Sequence, residues 1–310
     1  MSNELDASPT PTATVIVPAY NAQDYVLEQL SALATQVSTR AIECIVIDDA
    51  SIDRTAEIVR TWIDRTGNSP QFRLVTRRAR GGPNAARNEG LRHARADFLL
   101  FTDGDDVVGA GWIDALLSVK DTESLLAGRN ADLQERGADA ESRSGVADWA
   151  PPRWGGWPFA FGNCMAGPRW IFERPGGFDE NILIGGSETE LAIRAQRQLG
   201  INVVGVPDAL VWHRLPTTTT GWFRKHFARE RGHAYIRRRH QGAAHRPSLR
   251  IGLAQIARGF GALATARASS TRSDALAHVA RGAGTCLGSL WWGAVYWMRM
   301  PPPRLLGEQP

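Results

Sequence analysis

FLLFTDGDD, residues 98–106, decides the fold: four apolar residues in a row, then carboxylates at Asp103, Asp105 and Asp106 around a single glycine. An apolar run this short, closed by a turn, reads as a strand buried on both faces. Acids placed directly after such a strand cannot sit inside the sheet. They face the crevice at its carboxyl edge, where open α/β sheets take up ligands. An Asp-x-Asp pair supplies the hard oxygen donors that hold Mg or Mn against substrate phosphates. An Asp-Gly turn with solvated acids would have the same sequence.

Working outward, VIV (15–17), ECIVI (43–47) and FRLVT (72–76) alternate with helical patterns over 24–35, 53–63 and 84–95. This alternation predicts a doubly wound α/β sheet over the first hundred residues, an architecture that binds nucleotides at its strand ends. A second acidic strand end carries Asp48 and Asp49, and Ser51 or Asp53 can cap the helix that follows. VPAYN (17–21) leaves Pro18, Ala19 and Tyr20 at the tip of the first strand. GGPNAARNEG (81–90) is a turn opening a helix whose free N–H groups favour an anion, with Arg87 one turn in. Residues 130–158 are rich in Gly, Pro, Arg and Trp and predict long loops or a hairpin. A second ordered segment from Phe159 to His213 predicts a helix over 188–199 and strands near 201–206 and 209–213.

The chain has 310 residues, 43% hydrophobic and 22% charged, which excludes wholesale disorder and leaves room for one large domain with an appendage or for two modest domains. Cys44, Cys164 and Cys286 show no CxxC spacing, which excludes a disulfide scaffold and a structural zinc module and fits a reducing cytosol. Residues 1–12 read as a flexible leader without the pattern of a signal peptide. The net charge of +4 hides a division. Residues 221–310 carry 15 Lys+Arg against 3 Asp+Glu, and residues 1–220 carry 21 against 29. A basic tail of this kind suits a membrane face, a phosphate-bearing substrate or nucleic acid. It contains no recognised nucleic-acid module, so no nucleic acid is expected as a partner.

Taken in order, VIVPAYN, VIDDAS, GGPNAARNEG and LLFTDGDD resemble the family 2 glycosyltransferases of GT-A fold. The resemblance continues through GNCM (162–165), GGFDE (176–180), GGSETELAIRAQRQLG (185–200) and VWH (211–213), and covers residues 13–235. It implies a GT-A type α/β domain, a mixed sheet flanked by helices, over 13–235, with a basic, Trp-containing helical extension over 236–310. It further implies inverting transfer of a sugar from a nucleotide-diphosphate sugar, UDP-sugar by default, to a hydroxyl of a glycan or lipid-linked acceptor in cell-surface polysaccharide or glycolipid assembly. A divalent metal, Mn or Mg, is the implied cofactor.

By the same resemblance, Pro18, Ala19, Tyr20 and Asp49 line the nucleotide pocket, with Asp48 in support. Asn84 and Arg87 contact the base or the diphosphate. Asp103 and Asp105, flanking Gly104, form the Asp-x-Asp element; Asp105 is the metal ligand and His213 completes the metal site. One departure stands out. Gly186-Ser187-Glu188 replaces the family's Gly-Glu-Asp, and alignment through Glu190, Leu191 and Arg194 puts Glu188 in the position of the general base. Two other readings stay open: a nucleotide-sugar-binding assembly subunit without efficient turnover, and a nucleotidyltransferase. The latter lacks the Lys-bearing glycine loop after its first strand, since the first lysine is Lys120. Cys164 reads as a packing residue rather than a nucleophile.

TCLGSLWWGAVYWM (285–298) is uncharged but shorter than the roughly 20 residues that span a bilayer. Trp291, Trp292, Tyr296 and Trp297 are residue types that settle at a headgroup boundary. A cytoplasmic protein peripheral on the inner face of the plasma membrane is expected. The competing expectation is a helix packed on the catalytic domain or on a second copy, as in a homodimer.

Overall fold

The computed structural model describes residues 10–36, 41–67, 71–119, 123–136, 149–183, 185–240, 249–266, 269–298, 301 and 303–306. Residues 1–9 of the expected leader lie outside them. Strand β1 (Ala13–Ala19) is buried along its whole length and pairs in parallel with β2 (Ile42–Asp48). β3 (Phe72–Thr76) pairs in parallel on the far side of β2, and β4 (Phe98–Phe101) in parallel on the other side of β1. These are the four strands expected from the short apolar runs, and they form the doubly wound half of the sheet.

Beyond β4 the sheet becomes mixed. β5 (Val107–Val108), β6 (Ser124–Asp132), β9 (Met165–Pro168) and β10 (Asn202–His213) complete an eight-stranded order β3-β2-β1-β4-β9-β6-β10-β5. β9 runs antiparallel to both its neighbours, and β5 antiparallel to β10. The two strands expected over 201–213 are one. β10 continues through Pro207 with a register shift between Gly205 and Leu210 against β6, a bulge that tolerates a residue with no N–H to give. The expected loop region after 130 holds the end of β6 and a small hairpin, β7 (Arg153–Trp154) and β8 (Trp157–Pro158), turned by Gly155 and Gly156 at positive φ.

Alternation along the strands divides the core. Val15, Val17 and Val46 point to one face, packed with Val26 and Leu30 of α1 (Val26–Ala34), Val59 of α2 (Thr55–Thr66) and Trp112 of α4 (Trp112–Ser118). Ile16, Ile45 and Ile47 point to the other. There they meet Ala86 and Leu91 of α3 (Pro83–His93), Phe172 of α5 (Arg169–Glu173), and Leu191 and Ala195 of α6 (Ser187–Leu199). Gly90 lets α3 lie directly on β1, since a Cβ there would strike the Ile16 side chain.

The basic extension is helical. α7 (Thr219–Arg239), α8 (Leu249–Thr265) and α9 (Ser269–Met298) pack together, and α7 is continuous through the expected division at 235/236. Small residues bring them close: Gly252 of α8 lies against Gly282 and Cys286, and Gly284 and Gly288 of α9 lie against Phe223 and Phe227. Arg304 to Leu306 return to the α/β domain, where Glu180 N–H donates to the Arg304 carbonyl at 3.0 Å and Leu306 packs on the core that includes Leu191 and Ala195 of α6. No helix of the described residues is long and apolar enough to cross a membrane.

Candidate active site

The carboxyl ends of β1, β2 and β4 meet at a cavity of about 250 Å³ lined by Pro18, Ala19, Tyr20, Asp49, Arg80, Gly82, Asp103 and Asp105, among others. Asp49 is fixed by the turn before α3. Its carboxylate accepts from Gly81 N at 3.0 Å, from Gly82 N at 2.7 Å and from the Arg77 guanidinium. The Arg80 guanidinium covers the Tyr20 ring 4.0 Å from its centroid, so a flat cationic lid and an aromatic ring stand together at the cavity wall. Gly104 N donates to the Pro18 carbonyl at 3.0 Å. A Cβ on Gly104 would come within 3.1 Å of that oxygen and of the Ala19 Cβ, so glycine is what lets the acidic loop lie on β1.

The acidic loop presents Asp103, Asp105 and Asp106 with carboxylate oxygens all within 4.8 Å of one another. Their environments differ. Asp103 accepts from Arg87 Nη2 at 2.6 Å, and buried Gln29 donates to its carbonyl at 3.2 Å. Asp106 is fully buried and engaged by the protein. It accepts from the Asn163 amide, from His213 Nδ1 at 2.8 Å and from Arg214 N at 2.9 Å. Asp105 opens to the cleft. The low-dielectric walls around it, and then the charges of Asp106 and Asp103, push its carboxyl up to about 7.

A divalent cation relieves that crowding, so these hard oxygens fit one. His213, at the end of β10, is tied to the acidic loop through Asp106, although its ring nitrogens are not among the donors that converge within 4.8 Å. With Nδ1–H given to Asp106, its Nε2 keeps a lone pair, the arrangement by which a carboxylate orients a ligating imidazole. Burial opposes charging of this ring, but the hydrogen bond and charge of Asp106 outweigh burial and raise its pKa.

A second, larger cleft of about 1150 Å³ adjoins the first and is bounded by Arg87, Asp103, Asn163 and His213 on the sheet side, Glu188 on α6, and Lys225 and Arg229 on α7. Glu188 lies in the first turn of α6, where the helix N-terminus favours a carboxylate, and Ser187 Oγ donates to it at 3.0 Å. The other acids of this region are spoken for. Glu190 is completely buried and bound by Arg194, Arg239 and His240. Asp179 accepts from Tyr235 OH at 2.6 Å, and Glu180 accepts from Asn88 at 3.0 Å. Lys225 Nζ stands 3.0 Å from His213 Nε2.

Of the residues expected at the site, Pro18, Ala19, Tyr20, Asp49, Asp103 and Asp105 line the first cavity, and Arg87, Glu188 and His213 the second. Asp48, Asn84 and Gly104 line neither. Asp48 is buried at the end of β2, and Asn84 spends its amide on the carbonyls of Asp179 and Ile182 at 2.8 and 2.7 Å, pinning the segment that leads to α6. Cys164 is buried beside Trp112 Nε1 and its thiol is pushed up to about 12, chiefly by burial, as befits a packing residue. Arg80, Asn163, Lys225 and Arg229 were not legible as site residues. Asn163 lay in a motif, GNCM, but nothing in its spacing tied it to Asp106; the other three stood in basic stretches with no spacing to mark them.

Residues 14–143 match the family model described as glycosyl transferase family 2. An uncharacterised glycosyltransferase of Haemophilus influenzae is 38% identical over 98 residues, 32% of this chain and 38% of the relative. The poly(ribitol-phosphate) beta-N-acetylglucosaminyltransferase TarS of Staphylococcus aureus is 38% identical over 96 residues, 31% of this chain and 16% of TarS. The matched region thus spans well under half the length of either relative. Among solved structures, the mannosyltransferase PcManGT from Pyrobaculum calidifontis, in complex with GDP-Man and Mn2+, superposes over 94% of this chain and 76% of its own, with a TM-score of 0.59 at 23% identity.

Proposed function

Taking the chain as a family 2 glycosyltransferase with the GT-A fold, we propose that it moves a sugar, with inversion, from a nucleotide-diphosphate sugar to an acceptor hydroxyl in the assembly of a cell-surface glycan or glycolipid. The observation that carries the reading is the juxtaposition of the Asp103–Asp105 loop, the Asp49–Tyr20 cavity and a cleft-facing Glu188 on one edge of the sheet. The nucleotide takes the smaller cavity, its base against Tyr20 and Asp49, with Arg80 closing over it. UDP is the default nucleotide; the PcManGT complex, with GDP-Man, keeps GDP in view.

Asp105 and His213, with Asp103, would hold a divalent ion, Mn or Mg, which when bound neutralises charge on the departing diphosphate. Arg87 orients Asp103 through its ion pair, and Asp106 orients His213. Glu188 takes the proton of the acceptor hydroxyl as that oxygen attacks the anomeric carbon. A glutamate reaches about one methylene further than the aspartate usual at this place, and its anchoring by Ser187 suits that longer arm.

The direct test is a thermal-shift screen of UDP, GDP and dTDP with and without Mn2+, because a ligand of the folded state raises its melting temperature. One diphosphate should stabilise the protein in a Mn-dependent way, and Asp105→Ala should abolish that dependence. Unchanged Mn-dependent binding in Asp105→Ala would overturn the site.

A further inference from the structure

The wall of the large cleft opposite the sheet has a charge that the transfer reaction described above does not use. Lys225 and Arg229 lie one turn apart on α7 and both face the cleft, half-buried. Arg281 of α9 stands behind them, its guanidinium 3.5 Å from the centroid of the Trp222 ring, which also lines the cleft. None of the three has a carboxylate within salt-bridge distance among the described residues.

The nearby acids are committed elsewhere. Glu230 is buried against Ser289 Oγ at 2.6 Å and His233 Nδ1 at 3.1 Å, and Glu180 is held by Asn88. The Arg229 Nε is buried without a hydrogen-bond partner. Between these cations sits His226, bonded to Thr285 Oγ1 at 3.2 Å and to Arg229 Nη2 at 3.1 Å. Burial, and then the charges of Arg229, Arg281 and Lys225, hold its pKa down to about 3. The opposing charges that act on the cations are Glu230 and Glu188 on Arg229, Asp106 and Asp105 on Lys225, and Asp274 and Asp132 on Arg281. They make no direct ion pair with them, so cationic donors still face the cleft, a place for an anion.

Position says which anion. Arg229 packs on the turn that opens α6: a Cβ on Gly185 would lie 2.9 Å from Arg229 Cγ, and Glu188 begins two residues after that turn. The nucleotide cavity is lined by Arg80 and by neither Lys225 nor Arg229. Arg229 therefore flanks the carboxylate that receives the acceptor, and Lys225, one turn away and 3.0 Å from His213 Nε2, lines the same cleft towards the acidic loop. Guanidinium and ammonium donors together match the several oxygens of a phosphoryl group.

We propose that Lys225 and Arg229, backed by Arg281, bind a phosphoryl group carried by the acceptor, so that this enzyme glycosylates phosphate-bearing acceptors. The proposal rests on the glycosyltransferase reading and narrows its acceptor class. The test uses the full chain with Mn2+ and the stabilising nucleoside diphosphate, titrated by calorimetry with glycerol 1-phosphate, glycerol or glucuronate. Glycerol 1-phosphate should bind saturably and the other two should not.

Arg229→Gln and Lys225→Gln should each weaken that binding about tenfold or more. Arg229→Gln should leave diphosphate affinity unchanged, and Arg229→Lys should retain part of the phosphate affinity. Circular-dichroism melts check folding, and Lys225→Gln with Arg229→Lys carry the test if Arg229→Gln is unfolded. Equal phosphate binding in wild type and variants would overturn the site. So would glucuronate bound as tightly as glycerol 1-phosphate. A parallel loss of diphosphate affinity in Arg229→Gln would assign the cations to the donor instead. If no nucleoside diphosphate binds while glycerol 1-phosphate still binds through Arg229, the glycosyltransferase reading fails and the acceptor assignment with it, an outcome separate from failure of the phosphate site.

Discussion

Glu188 and Glu190 stand two residues apart on α6 and, at about 100° per residue, face nearly opposite ways. Glu188 opens to the cleft; Glu190 is enclosed by Arg194, Arg239 and His240. Burial alone would raise the Glu190 carboxyl, but the Arg194 charge and the His240 hydrogen bond hold it at about 2. Its folded pKa is depressed, so its contribution to stability is complete above the ordinary carboxylate range and disappears as pH falls towards about 2. Glu190→Gln leaves Arg194 buried without its counter-charge and should cost roughly 3–5 kcal/mol near neutral pH, with the deficit shrinking in acid; urea unfolding at several pH values measures it. Glu188→Gln should keep the fold and the donor affinity but slow transfer by about 10²–10⁴-fold, the worth of a positioned base. A Glu188→Gln enzyme with near-native turnover would remove Glu188 from the chemistry and leave Glu180 and Glu230, which also line the cleft, to examine. Both glutamates were visible in the sequence as one acidic motif, and Arg194 stands at the i,i+4 spacing that pairs with Glu190. The closure of that pair by Arg239 and His240, some fifty residues on, is carried by no local pattern.

At the scale of elements, the site is a meeting of strand ends held by close backbone approach. The parallel strands were legible because each is a short apolar run buried on both faces. β5 and β9 were not, since two and four residues carry no period to read, and β10 looked like two strands because Pro207 and Asp208 imitate a turn. Gly104 shows what the approach requires. Its amide bonds to Pro18, and a methyl group there meets Pro18 O and Ala19 Cβ at 3.1 Å, both parts of the backbone-rigid end of β1. Overpacking of this kind typically costs about 1–3 kcal/mol, relieved here by moving the Gly104–Asp105 tip of the acidic loop, where Asp105 is exposed, rather than the buried strand. Gly104→Ala should therefore lower the melting temperature only modestly while weakening Mn-dependent diphosphate binding about tenfold. A melting temperature far below native with undiminished diphosphate affinity would mean that β1, not the loop, gives way.

Across the whole molecule, charge and apolar surface divide in the same direction. The acidic body holds the Asp103–Asp105 loop and the Asp49–Tyr20 cavity, and the basic helices carry seven of the eleven exposed large hydrophobics of the described residues. Leu276, Leu287, Leu290 and Trp291 recur at helical spacing on the outer side of α9, with Leu290 60% and Trp291 62% exposed, while Ala275, Thr285 and Ser289 on its inner side are buried. Leu253 and Phe260 are exposed on one face of α8, seven residues apart, with exposed Arg250 one turn before Leu253; Arg258 and Arg272 are also exposed on these helices. The sequence offered a membrane contact and a packed helix as rivals, and α9 has room for both, one on each side. An apolar stripe on helices that carry exposed arginines suits the headgroup region of an anionic leaflet, where each basic residue contributes about 1 kcal/mol. The full chain should float with vesicles containing phosphatidylglycerol, not with phosphatidylcholine alone, and high salt should release it because the attraction is screened. The double substitution Leu290→Glu, Trp291→Glu should cut recovery in the lipid fraction several-fold without lowering the melting temperature, since neither side chain supports the core. Recovery of the wild-type chain in the lipid-free fraction at low salt would sink the membrane docking. If the same double substitution instead turned a dimer into a monomer with no lipid binding by either protein, the stripe would belong to a second copy of this chain.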